Sequence, residues 1–276
     1  MYRTVTRVLA KIACLSVLTW SVAAQAQPDA ELWEIWQQSD ESNEALVNHS
    51  RWQHFLDSYV ETDALGVNLV KYADVTDVDH EALRIYLETM QAIDPRNFRK
   101  QEQYAYWINL YNAATIDIVL QNPGKSSILR MGESFFSAGP WNDEVLRVAG
   151  IDLTLNDIEH RILRPIWRDQ RVHFAVNCAS MSCPNLAKDA YTSRSIERLL
   201  DKNEHDFIND PRGVRLTPRG RLEISKIFDW YRIDFAATDA ALVDYLASHA
   251  VEPLATQLKS YRGKIRYEYD WSINAP

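Results

Sequence analysis

Twelve residues, His173-Phe174-Ala175-Val176-Asn177-Cys178-Ala179-Ser180-Met181-Ser182-Cys183-Pro184, bring a histidine, two serines, an asparagine and two cysteines together. A thiol among small polar residues can attack a carbonyl carbon once a base has made it a thiolate. The same two cysteines can instead close a short Cys178–Cys183 disulfide loop, or be small buried residues with no reactivity. A C-x4-C pair is too small for a structural zinc site, which draws on four Cys/His ligands. It is also not the C-x-x-C of a thioredoxin-like redox pair. All three readings of the pair stay open at this level.

A nucleophilic Cys178 needs a base, and two histidines are candidates. His173 is nearer. The run from 171 to 177 reads as an apolar strand, in which residues five apart point to opposite faces, so His173 and Cys178 meet only if the strand ends or bulges first. His160 lies in Leu155-Asn156-Asp157-Ile158-Glu159-His160 at the start of a helix, where the helix dipole favours the neutral imidazole that a base requires. Asn156 and Glu159 fit a capping box, a structural role that leaves both less catalytic weight. His160 and His173 with an Asp or Glu have the ligand types for zinc. No H-x-x-x-H or H-x-H spacing supports it, so neither a metal nor another cofactor is expected.

Positioning falls to the elements around these residues. Residues 99–121 are apolar on nearly every face and predict a central buried helix. Asn109 and Asn112 are three apart on it and share a face. Buried amides must be paired, so they either cap neighbouring loops or contact substrate or an oxyanion. Trp107 shares the helix and is a candidate substrate contact or core residue, and Ser180 is a candidate contact beside the thiol. Further helices are expected at 50–60, 79–93, from Asn156 to Arg164-Pro165, at 192–209 and within 238–259. Strands are expected at 66–72, 145–153, 214–224 (a hairpin turning at Pro218-Arg219-Gly220) and 265–271. The pattern is α+β: a helix-rich single domain around a small, mostly antiparallel sheet.

Residues 1–26 read as a secretory signal peptide cleaved after Ala26. Arg3, Arg7 and Lys11 make a positive start, Ile12 to Val22 a short apolar core, and Ala24-Gln25-Ala26 a small-x-small site. Cys14 lies within it, with Lys11 where a lipoprotein signal wants an aliphatic residue. Removing 26 of 276 residues leaves 250, and losing three basic residues takes the net charge from −8 to −11. So acidic a surface disfavours nucleic acid and anionic lipid, since phosphate binding needs Lys/Arg clusters. No later stretch is long and apolar enough for a membrane span. A periplasmic or secreted location follows, where a disulfide is possible but not required.

Five motifs in register resemble one family. Tyr106-Trp107-Ile108-Asn109-Leu110-Tyr111-Asn112-Ala113 is similar to the "FWINLYNA" signature of the DUF547 domain. Leu155 to His160 with Ile162-Leu163-Arg164, and His173 to Cys178 with Ser182-Cys183-Pro184, are similar to its "IEH…ILR" and "HFALNC…SCP" segments. Phe228-Asp229-Trp230-Tyr231…Asp234-Phe235 and Tyr269-Asp270-Trp271-Ser272-Ile273-Asn274 complete the set. Trp33 and Trp36 at helical spacing and the amphipathic 50–60 run predict a helical arm at 27–60. After that arm, the resemblance implies a DUF547-like domain over 61–276 and brings with it no assigned reaction. It also draws attention to Asp270, a carboxylate that could orient a histidine in a Cys–His–Asp arrangement. The leading expectation is a thiol-dependent hydrolase or acyl transferase acting on an amide, ester or peptide bond. In it Cys178 is the nucleophile, His160 or His173 the base, and Asp270 the orienter. The alternative is a non-catalytic module binding a small molecule, peptide or cell-envelope partner, stapled by a Cys178–Cys183 disulfide.

Overall fold

Helix α3 (Lys100–Gln121) runs through the centre of the protein in the computed structural model, which describes residues 29–134 and 138–276. The 1–26 segment with Cys14 lies outside the described residues. Apolar side chains occupy every face of α3, and Asn109 and Asn112 are as buried as its leucines. A helix with no polar face is stable only where other elements cover it all round. Helix α2 (Asp77–Gln91), a helical turn at 157–163 and α5 (Ile196–Ile208) pack against it, and α1 (Ser50–Tyr59) packs on α2. Before α1, Trp36 sets its ring edge-on to Trp107 at 5.1 Å, and Glu102 Oε1 accepts from Val47 N–H at 2.7 Å. The residues preceding α1 are thereby fastened to the central helix.

Two apolar clusters result. The larger surrounds α3. The smaller holds Phe174 together with Phe207, Phe228, Leu242 and Leu258, the last four from α5, α6 (Ile227–Trp230), α8 (Asp239–His249) and α9 (Leu254–Ser260). Among the described residues the strands are short and fall into three sheets. Antiparallel hairpins pair β1 (Val60–Thr62) with β2 (Asn68–Val70) and β3 (Leu146–Val148) with β4 (Ile151–Leu153). The third sheet is mixed: β5 (Val214–Leu216) runs antiparallel to β6 (Leu222–Ser225), which pairs in parallel with β7 (Ile265–Glu268). The architecture is a helix-rich α+β domain with small, mostly antiparallel sheets.

The expected strand at 171–177 is instead a 3-10 helix, Gln170–Phe174. Asp169 accepts from the Arg171 N–H through its side chain and starts the turn. Val172 and Ala175 enter the larger cluster while Phe174 enters the smaller. A short apolar run shows its composition but not its period, and here the chain is the seam between two cores rather than a member of a sheet.

After β7 the chain runs antiparallel across the 178–183 loop. Met181 N–H donates to Ser272 O (2.8 Å), and Ser180 bridges to Ile273. This crossing carries Tyr269 and Trp271 to the cysteines.

Candidate active site

Cys178 sits in a loop held from several directions. Asn112 accepts from Asn177 N–H (2.8 Å) and donates to Ala175 O (2.9 Å), so one buried amide fixes the backbone on both sides of Val176. Asn177 turns its own side chain back to accept from Ala179 N–H (2.9 Å) and donates to Pro184 O (2.8 Å). Ala179 takes a left-handed backbone (φ 57°), which bends the chain just after the thiol. Asn109 does for Tyr191 what Asn112 does here, donating to its carbonyl (2.7 Å) and accepting from its N–H (3.0 Å). Both asparagines thus spend their bonding capacity on backbone. Trp107 is fully buried against Trp36 and Tyr106.

The half-buried Cys178 Sγ lies 3.0 Å from the Tyr269 hydroxyl and 3.1 Å from Ser180 Oγ, and Ser180 donates to the same phenol at 2.9 Å. Cys178 and Cys183 are free thiols rather than a disulfide, and Cys178 N–H donates to Cys183 Sγ at 3.0 Å. The Cys183 thiol gives Cys178 a hydrogen bond that outweighs burial and, with Ser180 and Tyr269, lowers it to about 7. Burial pushes Cys183 and the Tyr269 phenol well above their ordinary values, so both remain protonated donors.

Cys178, His173 and Glu159 line one cavity of about 40 Å³. Tyr111, Tyr231, Tyr269, Trp141, Trp230 and Trp271 complete most of its lining. The His173 ring lies flat on Tyr231, 3.8 Å between centroids and 15° between planes. Its Nε2 donates to Asp234 Oδ2 at 2.7 Å, and Arg164 Nε donates to that same oxygen at 2.7 Å. His173 Nδ1 is buried without a hydrogen bond, 3.6 Å from Glu159 Oε1. Glu159 Oε2 accepts from Tyr111 at 3.3 Å. Burial acts to raise the Glu159 carboxyl, but the imidazoles of His160 and His173 and the Tyr231 hydroxyl hold it down at about 2. The Asp234 carboxyl is opposed by desolvation and held far below its usual range by His173 and Arg164.

Three expectations change. Glu159 is not the partner in a capping box with Asn156. The reciprocal cap is Thr154–Asp157: Thr154 Oγ1 accepts from Asp157 N–H and Asp157 Oδ2 from Thr154 N–H, each at 3.0 Å. Asn156 turns away to Asn142. The helix then widens into a π-helix over Asp157–Leu163, with Arg164 N–H donating to Glu159 O, and this carries Glu159 and His160 inward together. Asp270 is not the histidine's carboxylate. Its Oδ1 accepts from Ser272 N–H (2.9 Å) and Oγ (2.6 Å), a turn cap, and the carboxylate on His173 is Asp234. His160 is buried but does not line the cavity. Its Nδ1 accepts from Arg164 Nη1 at 3.1 Å, and burial lowers it to about 4, so it is a neutral acceptor at pH 7.

Asp234, Glu159, Tyr231 and Tyr269 therefore join Cys178 and His173, though no spacing rule links 173 to 234. The only sequence sign was that Asp234, Tyr231 and Tyr269 lie inside two of the motif segments. Among the described residues no three His, Cys, Asp or Glu side chains are grouped to hold a metal ion, and no helix is long and apolar enough to cross a membrane.

Fold and cavity define a class: a helix-rich α+β protein in which a thiol, a buried imidazole and a carboxylate line one cavity at a seam between two cores. Residues 95–208 match the model of the family described as "Protein of unknown function, DUF547". The matched stretch runs from Pro95, just before α3, to the end of α5. It contains Asn109, Asn112, Glu159, His173 and both cysteines, and excludes Tyr231, Asp234 and Tyr269. No curated protein and no solved structure gives a significant match.

Proposed function

We propose that the protein is a thiol-dependent hydrolase or acyl transferase acting on an amide, ester or peptide bond. The observation that carries this is one cavity lined both by Cys178, with its thiol lowered to about 7, and by His173, bonded on its far side to Asp234. In the reaction the Cys178 thiolate attacks the carbonyl carbon and a tetrahedral intermediate forms. The Tyr269 hydroxyl, beside the sulfur, donates to the developing oxyanion. His173 manages the proton: Asp234 holds the ring and its tautomer, and Nδ1 takes the thiol proton. Nδ1 gives it to the leaving group as the intermediate collapses and the bond from the carbonyl carbon to that group breaks. It then takes a proton from the incoming water or acceptor, whose attack on the thioester releases Cys178. His160 serves as an acceptor that steadies Arg164, which steadies Asp234.

Labelling tests the reading. Without reductant, iodoacetamide modifies Cys178 with a midpoint near pH 7 while Cys183 stays unmodified. An acyl-electrophile probe labels the wild type and not Cys178→Ala. Labelling of Cys178 only above pH 8.5, with no acyl transfer to it, overturns the proposal. The aromatic lining supports a second reading, a module that binds a small molecule, peptide or cell-envelope partner without turnover. Saturable binding with equal affinity in Cys178→Ala and no probe labelling marks that outcome. Secretion with cleavage after Ala26 belongs to the same proposal, and a mature chain starting at Gln27 is its readout.

A further inference from the structure

Glu159 is the least explained group in the cavity. It is 4% exposed, and it lines the space with one oxygen toward Tyr111 and the other toward His173 Nδ1. The 3.6 Å gap to that nitrogen is too long for a hydrogen bond. The bond to Asp234 puts a proton on His173 Nε2, so in the neutral ring Nδ1 presents a lone pair to the cavity. Two acceptors then face each other, and a buried nitrogen without a partner is costly unless something donates to it. The charge count agrees. The two carboxylates here, Glu159 and Asp234, meet one guanidinium, Arg164, and that guanidinium bonds to Asp234.

Most of the remaining lining consists of electron-rich rings, Trp141, Trp230, Trp271 and the phenols of Tyr111, Tyr231 and Tyr269, with Val176, Ile227 and Cys183 beside them. Trp271 lies 4.5 Å from Tyr269, 5.4 Å from Trp230 and 5.7 Å from Trp141, centroid to centroid, so these rings form one cluster. Aromatic walls around a buried carboxylate favour a cation that also donates hydrogen bonds. They penalise an anion, and a neutral ligand adds no charge to pair with the carboxylate.

We infer that the ligand of this cavity carries a primary ammonium group, which donates to Glu159 among the aromatic rings. This deepens the proposed function and rests on that reading only in taking the cavity beside Cys178 as the substrate site. It narrows the substrate to amides, esters or peptides with an amine near the bond that reacts. The ammonium pairs with Glu159, His173 Nδ1 keeps its lone pair for the proton transfers, and the carbonyl extends toward Cys178.

Titrating the full chain with n-butylammonium, n-butanol and butyrate, followed by tryptophan fluorescence, tests this. Saturable change is expected with n-butylammonium alone, weakened at least tenfold in Glu159→Gln. Equal response to n-butanol or butyrate, or no saturable response to n-butylammonium, overturns the inference. In the last case the His173 imidazolium is itself the cation that Glu159 meets. The wild-type comparison decides even if Glu159→Gln does not fold. The same titration in Cys178→Ala separates the two readings. Ammonium binding retained there, with acyl probes failing on the wild type, leaves the amine pocket standing without the transferase. Probe labelling with no ammonium preference does the reverse.

Discussion

His173 Nε2 lies 2.7 Å from Asp234 Oδ2, and this contact joins a 3-10 turn of the seam to helix α7 (Arg232–Phe235) across 61 residues of chain. Arg164 shares the same carboxylate oxygen. Asp234→Asn keeps the shape but loses the charge that two donors use. A loss of about 2–4 kcal/mol in urea unfolding is expected, because two charge-assisted bonds to buried partners are broken. Asp270→Asn, at an exposed turn cap, is expected to cost less than about 1 kcal/mol. Equal losses in the two variants would contradict the assignment of Asp234 as the structural carboxylate of the site.

Tyr269 reaches Cys178 Sγ at 3.0 Å from the C-terminal crossing. Tyr269→Phe removes a donor to the thiolate, so the alkylation midpoint of Cys178 is expected to rise by about one pH unit. Iodoacetamide rates between pH 5 and 9 measure it, and an unchanged midpoint removes Tyr269 from the machinery.

Asn109 and Asn112 each make two backbone bonds from buried side chains. Alanine at either position strands a backbone donor and acceptor, at about 2–4 kcal/mol, a fall in Tm of roughly 5–10 °C for a domain of this size. Were these amides substrate contacts instead, the melting temperature would hold and only ligand binding would suffer.

Acid should destabilise the fold in two stages. Burial lowers His49 and His160 to about 4, below the ordinary 6.5. The unfolded chain protonates both below about pH 6.5 while the folded chain refuses until about 4. Their contribution is therefore complete above 6.5 and is lost as pH falls to 4. Glu159, held at about 2 against an ordinary 4.5, then loses its contribution as pH falls from 4.5 toward 2. Melting temperatures from pH 7 to 4 are expected to fall, and less steeply in His160→Gln, which removes one of the two protons from the linkage. A flat profile over that range, or the same slope in the variant, contradicts this account.

Local rules served well where one element decides. The turn at Pro218-Arg219-Gly220, the glycine between β3 and β4 and the all-round apolar pattern of α3 each act over a few residues, and each element formed where expected. The amides on α3 were also legible as a problem, since buried amides must find partners, although which backbone they clamp was not. Misreadings arose where two local solutions compete. Thr154–Asp157 and Asn156–Glu159 are overlapping caps, and the reciprocal bonds that formed are those of the first pair. Residues 171–177 carry strand composition, but the two clusters on either side demand a turn of three residues per repeat.

The sequence by itself determined which residue types stand together in the 173–184 stretch and that a helix-rich α+β core would surround them, because composition and periodicity act through burial along one segment. Only the tertiary structure decided the partners. Cys178 meets Tyr269 across 91 residues and His173 meets Asp234 across 61, while Asp270, inside a quoted motif, turns to its own neighbour Ser272. Hydrogen bonds reach about 3 Å, and the order of residues along a chain does not say which segments, folded around two cores, will come that close.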